Sequence, residues 1–155
     1  MVAAGSGIAP FRGFIQGRAL QKRSGIQLQP AILFFGCHSL QQDNLYHQEL
    51  DEFETEGIVS VRRAFSAEKL GLGSQSRMYV QDRMWADRAE VIRLWNLGAK
   101  VYVCGGINMA DGVKKIFSKI ILPAEADENL DATSRDKLFD EDVSTRYVAE
   151  IFSQT

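Results

Sequence analysis

Apolar runs and helical stripes take turns along this chain, and their order predicts most of its elements. "MVAA" is short and apolar, the stub of a first strand. Pro10 suits a first helical turn, and Phe11, Phe14, Ile15, Arg18 and Ala19 recur with a helical period until Gly25 stops it. Ala31 to Cys37, "AILFFGC", is apolar without alternation, as a strand covered on both faces requires. Asp43 is placed to cap a helix through Leu45, Glu49, Leu50 and Phe53, with Gly57 ending it. Ile58 to Phe65 reads as a third strand. Tyr79 to Leu97 reads as one helix with Trp85, Ile92 and Trp95 inward and Gly98 as its stop. "KVYVCGG" is a fourth strand entering a glycine turn. Met109, Val113, Ile116, Phe117, Ile120 and Ile121 then form an apolar helical stripe that Pro123 closes. Strands alternating with helices in this way point to βαβ units and a parallel sheet.

The length of 155 residues suits one domain with a substantial core. With 45% hydrophobic and 25% charged residues and a net charge of -2, the chain has the balance of a globular protein, and not the basic excess of a nucleic-acid binder. No apolar run approaches the roughly 18–20 residues of a membrane span, and no signal-peptide layout is present. Cys37 and Cys104 form neither a disulfide framework nor a CxxC metal site, and they suit a reducing compartment. Residues 125–142 hold eight acids (Glu125, Asp127, Glu128, Asp131, Asp136, Asp140, Glu141 and Asp142) against Arg135 and Lys137, which reads as a solvated face.

Chemistry concentrates at the ends of the predicted strands. Gly5-Ser6-Gly7-Ile8-Ala9-Pro10 allows a tight turn and a close backbone approach to a pyrophosphate, at a helix N-terminus with free N–H groups. Arg12 would add a cation. Pro10 replaces the third glycine of the dinucleotide fingerprint, so the motif alone is equally a plain strand–helix turn. An NAD site usually has an acid about 20 residues further on, at the end of the second strand. Here that strand ends Cys37-His38-Ser39, with no carboxylate. Ser66, Arg77, Tyr79 and Gln81 follow the third strand. A hydroxyl, a guanidinium and a flat aromatic suit a 2′-phosphate beside a stacked adenine. By spacing alone the same loop, with Glu68 in it, is an exposed segment with scattered charges. Cys104 sits where the fourth strand meets the crevice and could equally be a small buried hydrophobe. His38 and His47 have no partner pattern for a metal or a triad. Phe152, close to the end of the sequence, is by local pattern either disordered or packed on the core.

The set GSGIAPFRGF, FFGCHS, DNLYHQEL, AFS, RMYVQ, VYVCGG, MADGV and RYVAEIF, in this order, resembles the NADP(H)-binding domain of the ferredoxin–NADP reductase-like family. Within that family it is similar to the diflavin reductases, cytochrome P-450 reductase and the reductase end of self-sufficient cytochrome P-450 fusion enzymes. The resemblance covers nearly the whole chain, most loosely at residues 66–77 and 123–143. It implies an α/β, three-layer, doubly wound, Rossmann-like parallel sheet of about five strands in the order 3-2-1-4-5. It also implies a C-terminal fragment of a larger flavoprotein, begun inside or beside its first strand, with that central strand weakened as a result.

By the same resemblance the domain binds NADPH and presents it for hydride transfer to FAD. Electrons then continue through FMN to a haem acceptor such as a cytochrome P-450. FAD and FMN belong to other domains of the parent, and haem to a fused or separate acceptor; the chain alone would bind NADP(H) without turning it over. A cytoplasmic setting is implied, with no nucleic-acid partner; any membrane tether would lie in a segment of the parent that this chain does not contain. The site residues carry over one by one. Gly5, Ser6, Gly7, Pro10 and Arg12 approach the pyrophosphate and nicotinamide ribose. Ser66, Arg77, Tyr79 and Gln81 match 2′-phosphate and adenosine contacts. Cys37, His38, Gly105 and Met109 complete the cofactor-binding positions. Cys104 matches a cysteine near nicotinamide C4, Glu150 an acid of the hydride-transfer site, and Phe152 the aromatic that stacks on the flavin and moves aside.

The chain departs from the family at Ala67, where Arg commonly follows Ser66; at Gly106, in place of an acid; and at His38, where Arg is frequent. Lys69 and Arg63 are candidates to replace the lost phosphate cation. Two rival readings are a non-catalytic nucleotide-binding module and an NADH-tolerant flavin reductase relative.

Overall fold

The computed structural model describes residues 1–41, 43–67, 77–122, 143 and 145–152. Five parallel strands form one sheet: β1 (Val2–Ala4), β2 (Ile32–Cys37), β3 (Ser60–Phe65), β4 (Val101–Gly106) and β5 (Tyr147–Phe152), in the order β3-β2-β1-β4-β5. The helices are α1 (Ala9–Arg23), α2 (His47–Thr55), α3 (Val80–Ala86), α4 (Arg88–Asn96) and α5 (Ile107–Ile121). The acidic stretch 125–142, the Pro123 stop, Glu68 and Lys69 lie outside the described residues.

Alternation along the strands builds two cores. Ala3, Leu33, Phe35, Cys37, Val61 and Cys104 face α1 and α2, meeting Phe11, Ile15, Ala19, Leu50 and Phe53. Val2, Ile32, Phe34 and Val103 face the other way, onto Val80, Met84, Val91, Ala110, Val113, Phe117 and Ile120 of α3, α4 and α5. Because both faces are covered, β2 has no polar alternation to show, and the result is the three-layer doubly wound arrangement expected.

Gly25, Gly57 and Gly98, the three predicted stops, all have positive φ (83°, 67° and 86°), which a side chain rarely adopts. Two expectations are corrected. Asp43 does not cap α2: that helix starts after Tyr46, itself left-handed at φ 57°, and Asp43 binds the backbone after β2 instead. The stretch from Tyr79 to Leu97 is two helices, broken at Asp87, whose carboxylate accepts from Arg83 Nε at 2.8 Å and lies 3.6 Å from Arg62 Nε. The buried face runs through Val80, Met84 and Val91, one position away from the expected Trp85–Ile92 face, and Trp85 and Ile92 are exposed. Trp95 is half-buried, edge-on to Phe117 with ring centroids 5.2 Å apart.

β1 is central yet has three residues where each neighbour has six. It pairs with both: Val2 stands beside Phe34 and Val103, and Ala3 beside Phe35 and Cys104.

Candidate functional site

The strand order reverses around β1, so β1 and β4 start connections to opposite faces and leave a crevice at their C-terminal ends. A cleft of about 890 Å³ opens there, large enough for a dinucleotide. β1 delivers Ala4, Gly5 and Ser6 to it, β2 delivers Cys37 and His38, and β3 delivers Ala64 and Ser66. The lead into α3 brings Tyr79 and Gln81, the start of α5 brings Asn108 and Met109, and the end of β5 brings Phe152.

The glycine turn folds as a single 3-10 turn, Gly5–Ile8, that runs into α1. Gly5 has φ 54°, the left-handed region that favours glycine. Gly7 is required for another reason: a Cβ there would fall 2.2 Å from the Cys104 carbonyl oxygen. The turn is thus pressed onto β4, and that contact sets its height in the cleft. At α5 the cap residue is Gly106, which offers no side chain to the first-turn amides. Unpaired amides and the positive end of the helix dipole favour an anion at such a place.

At the β2–β3 side of the cleft, Ser66 Oγ lies 3.4 Å from His38 Nδ1, and Ser66 N donates to the Cys37 carbonyl at 3.0 Å. The sequence reading did not place Asp43 here. Its Oδ1 accepts from His38 N at 2.6 Å and Ser39 N at 3.2 Å, fixing the turn after β2 at the edge of the cleft. Tyr79 is exposed, with its backbone N–H held by Asp82 Oδ2 at 2.8 Å. Gln81 lies along α5, where Gly112 leaves room for it.

Other expected site residues stand back from the cleft lining: Gly7, Pro10, Arg12, Arg77, Cys104, Gly105 and Glu150. Arg12 is engaged elsewhere. Its Nε donates to Glu49 Oε2 at 2.5 Å, and its guanidinium lies 4.9 Å from the centre of the Tyr46 ring. Glu49 also accepts from Gln16 at 2.8 Å, and the hydrogen bond with Arg12 holds its carboxyl below the usual carboxylate range. Arg63 is likewise committed, to Asp51 Oδ1 at 2.6 Å and Asn44 Oδ1 at 3.3 Å. Arg77 is exposed, one residue before Met78, which does line the cleft.

Cys104 and Glu150 are paired across β4 and β5, as are Gly106 and Phe152. Burial, and then the Glu150 carboxylate, push the Cys104 thiol above its ordinary value. Both effects favour the protonated thiol over the thiolate. Among the described residues no group of three His, Cys, Asp or Glu gathers to hold a metal, and no helix is long and apolar enough to cross a membrane.

Residues 1–115 match the family described as the oxidoreductase NAD-binding domain. The chain belongs to that family. As an NAD-binding domain it has relatives of much greater length. It is 74% identical over 155 residues to the self-sufficient cytochrome P450 monooxygenase CYP505AG1 of Oidiodendron maius, covering all of this chain and 14% of that protein. It is 46% identical over 153 residues to CYP505U2 of Exserohilum turcicum, covering 99% of this chain and 14% of that protein. It is 38% identical over 153 residues to a bifunctional cytochrome P450/NADPH–P450 reductase of Fusarium oxysporum, covering 97% and 14%. This NAD-binding domain therefore spans about one seventh of the length of these relatives.

Proposed function

We propose that this chain is the pyridine-nucleotide module of an NADPH-dependent diflavin reductase that feeds a haem acceptor of the cytochrome P-450 type. One observation carries the reading: the glycine turn, Ser66, Tyr79 and Phe152 line a single cleft at the switch point of the sheet. Residues far apart in sequence thus line one cleft that holds both glycine-turn backbone and an aromatic side chain.

On this reading each part has a task. The Gly5–Ile8 turn and the uncapped start of α5 receive the pyrophosphate through backbone amides. Ser66 hydrogen-bonds the 2′-phosphate, with Arg77 as its cation, and Tyr79 stacks on adenine. Phe152 covers the place of the nicotinamide and swings away when the ring arrives. Cys104 and Glu150 stand behind it, a neutral sulfur beside a carboxylate. They position C4 and balance the charge that grows on the ring as hydride leaves. FAD, bound by another part of the parent, supplies the electron acceptor. The described residues of this chain bind and orient the nucleotide and exclude water from the transfer.

A second reading, tolerance of NADH, has a specific observation behind it. Ala67 offers no cation, and Arg63 is held by Asp51 and Asn44. A charge-assisted pair contributes roughly 1.5–3 kcal/mol, so one missing partner narrows the preference for NADPH by about tenfold or more.

Calorimetric titration with NADP⁺, NAD⁺ and 2′,5′-ADP at one salt concentration tests both. NADP⁺ and 2′,5′-ADP binding more tightly than NAD⁺ supports the NADPH reading, and equal affinities support the NADH-tolerant one. A sample that melts cooperatively yet binds none of the three overturns both.

A further inference from the structure

Among the described residues that line the cleft, one side chain can carry a positive charge, that of His38. Arg63 is held by Asp51 and Asn44, and Arg77 stands outside the lining. One carboxylate lines the same cleft, that of Asp43. The β2–β3 wall therefore pairs a base that titrates near neutrality with an acid.

His38 is exposed, yet its backbone is tied at both polar groups. Its N–H donates to Asp43 Oδ1 at 2.6 Å, and its carbonyl accepts from Ala67 N at 2.9 Å. The second bond carries the β2–β3 pairing past Cys37 and Phe65, beside the bond from Ser66 N to the Cys37 carbonyl. This lacing makes the two side chains neighbours, with Ser66 Oγ 3.4 Å from His38 Nδ1. The other titratable side chains of the lining near them are Cys37 on β2, Asp43 in the same turn as His38, and Tyr79 ahead of α3.

Histidine is the residue type whose charge changes between about pH 5 and 8. A neutral ring can accept the Ser66 hydroxyl at Nδ1, which turns that hydrogen away from a ligand. A charged ring donates from both nitrogens. Nδ1–H then turns to Ser66 Oγ, the hydroxyl hydrogen is released toward the cleft, and Nε2–H adds a second donor with a positive charge. A phosphate dianion has three acceptor oxygens for these donors, whereas a ribose hydroxyl is uncharged and gains little from them. With the ring neutral, the charge left on this wall is the Asp43 carboxylate, which repels a phosphate and spares a hydroxyl.

We infer that His38 makes the choice of nucleotide depend on pH: its imidazolium, with Ser66, holds the 2′-phosphate of NADP(H), and its deprotonation weakens that hold. The inference rests on the nucleotide reading above and extends it. Ala67 supplies no cation, and the one that lines the cleft is a titrating one. Arg77 contributes the part of the preference that does not change with pH.

The test titrates the chain, His38→Arg and His38→Gln calorimetrically with NADP⁺ and NAD⁺, at pH 6 and pH 8 and one salt concentration. The quantity read is the ratio of the two dissociation constants, in which any effect of pH on the folded fraction cancels. A 2′-phosphate itself ionises near pH 6, equally in all three forms, so His38→Arg supplies the baseline. Relative to that baseline, the preference of the unaltered chain for NADP⁺ should fall about tenfold from pH 6 to pH 8, the difference between a charge-assisted and a neutral hydrogen bond. His38→Gln should follow the baseline at a lower preference throughout. At pH 7.5, titration in two buffers of different ionisation heat should show proton uptake with NADP⁺ and none with NAD⁺, and both variants should lose it. A histidine with only a structural role would give no such uptake. A profile of the unaltered chain that parallels His38→Arg would overturn the inference, as would one that His38→Gln leaves unchanged. If NADP⁺ is preferred equally at both pH values, the nucleotide reading stands and the role of His38 falls. If no form binds either nucleotide while all three melt cooperatively, the two fall together.

Discussion

Gly5 and Gly7 sit in the same turn, yet alanine should act on them through different physics. At Gly7 the added methyl would meet the Cys104 carbonyl oxygen at 2.2 Å, its carbon at 2.7 Å and Gly105 Cα at 3.2 Å. All three are backbone atoms of β4, a strand paired on both sides, so no side chain can rotate to make room. The turn or β4 must move by about an ångström, and overpacking of this kind costs typically 1–3 kcal/mol, with a rigid backbone neighbour placing it at about 3. At Gly5 a methyl meets nothing within 4 Å, and the cost is that of φ 54° for an L-residue, about 1–2 kcal/mol. Alanine loses less chain entropy on folding than glycine, which offsets about 0.4–1 kcal/mol in both cases. Gly7→Ala should therefore be the more destabilising by about 1–2 kcal/mol, or roughly 2–8 °C in melting temperature. Urea unfolding followed by tryptophan fluorescence, with equal m values for the two variants, measures the difference directly. If Gly5→Ala proved as costly as Gly7→Ala, the contact between turn and β4 would not be what holds Gly7.

Three further predictions follow from the site and the sheet. Arg77→Ala should weaken NADP⁺ roughly tenfold to a hundredfold while leaving NAD⁺ nearly unchanged; equal losses in calorimetry would remove Arg77 from the phosphate. In the full-length parent, Phe152→Ala should relax discrimination against NADH by up to about tenfold, the worth of one aromatic stack, and an unchanged ratio of kcat/KM values would make Phe152 a surface residue. Nα-acetylation should flatten the pH dependence of stability between pH 8 and 5. Because the unfolded chain protonates its terminus near 8.0 and the folded one only near 5, stability falls as pH drops through that window, by about 4 kcal/mol at ~1.36 per unit. Glu49 and Glu90, held below the usual carboxylate range by hydrogen bonds from Arg12 and Arg93, act at lower pH. A slope that survives acetylation would assign the effect to other groups.

What the sequence showed and what it hid divide along physical lines. The continuous "AILFFGC" run and the stripe of α5 were legible because burial on both faces of a sheet, or on one face of a helix, writes itself into local periodicity. The stops at Gly25, Gly57 and Gly98 were legible because a positive φ has one favoured residue. Arg12 was not: its ion pair with Glu49 spans 37 residues and depends on how α1 packs near α2. The break at Asp87 was not, because no proline or glycine marks it, and the inward face through Val80, Met84 and Val91 lies next to the Trp85–Ile92 face that the aromatic pattern suggested. Asp43 read as a helix cap because its spacing fits one; the acceptor-hungry turn after β2 competed for it and took it. Phe152 reaches the cleft through the register of β5 on β4, a parallel pairing that no local pattern encodes.

The position of β1 also sets an order on assembly. It is the first strand in the sequence and the middle one in the sheet, and Val2 must find Val103 as well as Phe34. During synthesis, at ~5–20 residues per second, the β1–β2–β3 half can gather long before β4 leaves the ribosome. For those seconds β1 is an outer strand, with unpaired backbone groups and apolar side chains open to any passing chain. Closing the long loop to β4 is the slow, entropy-limited event. The interval before it is when this polypeptide most needs a chaperone, or a prompt arrival of β4.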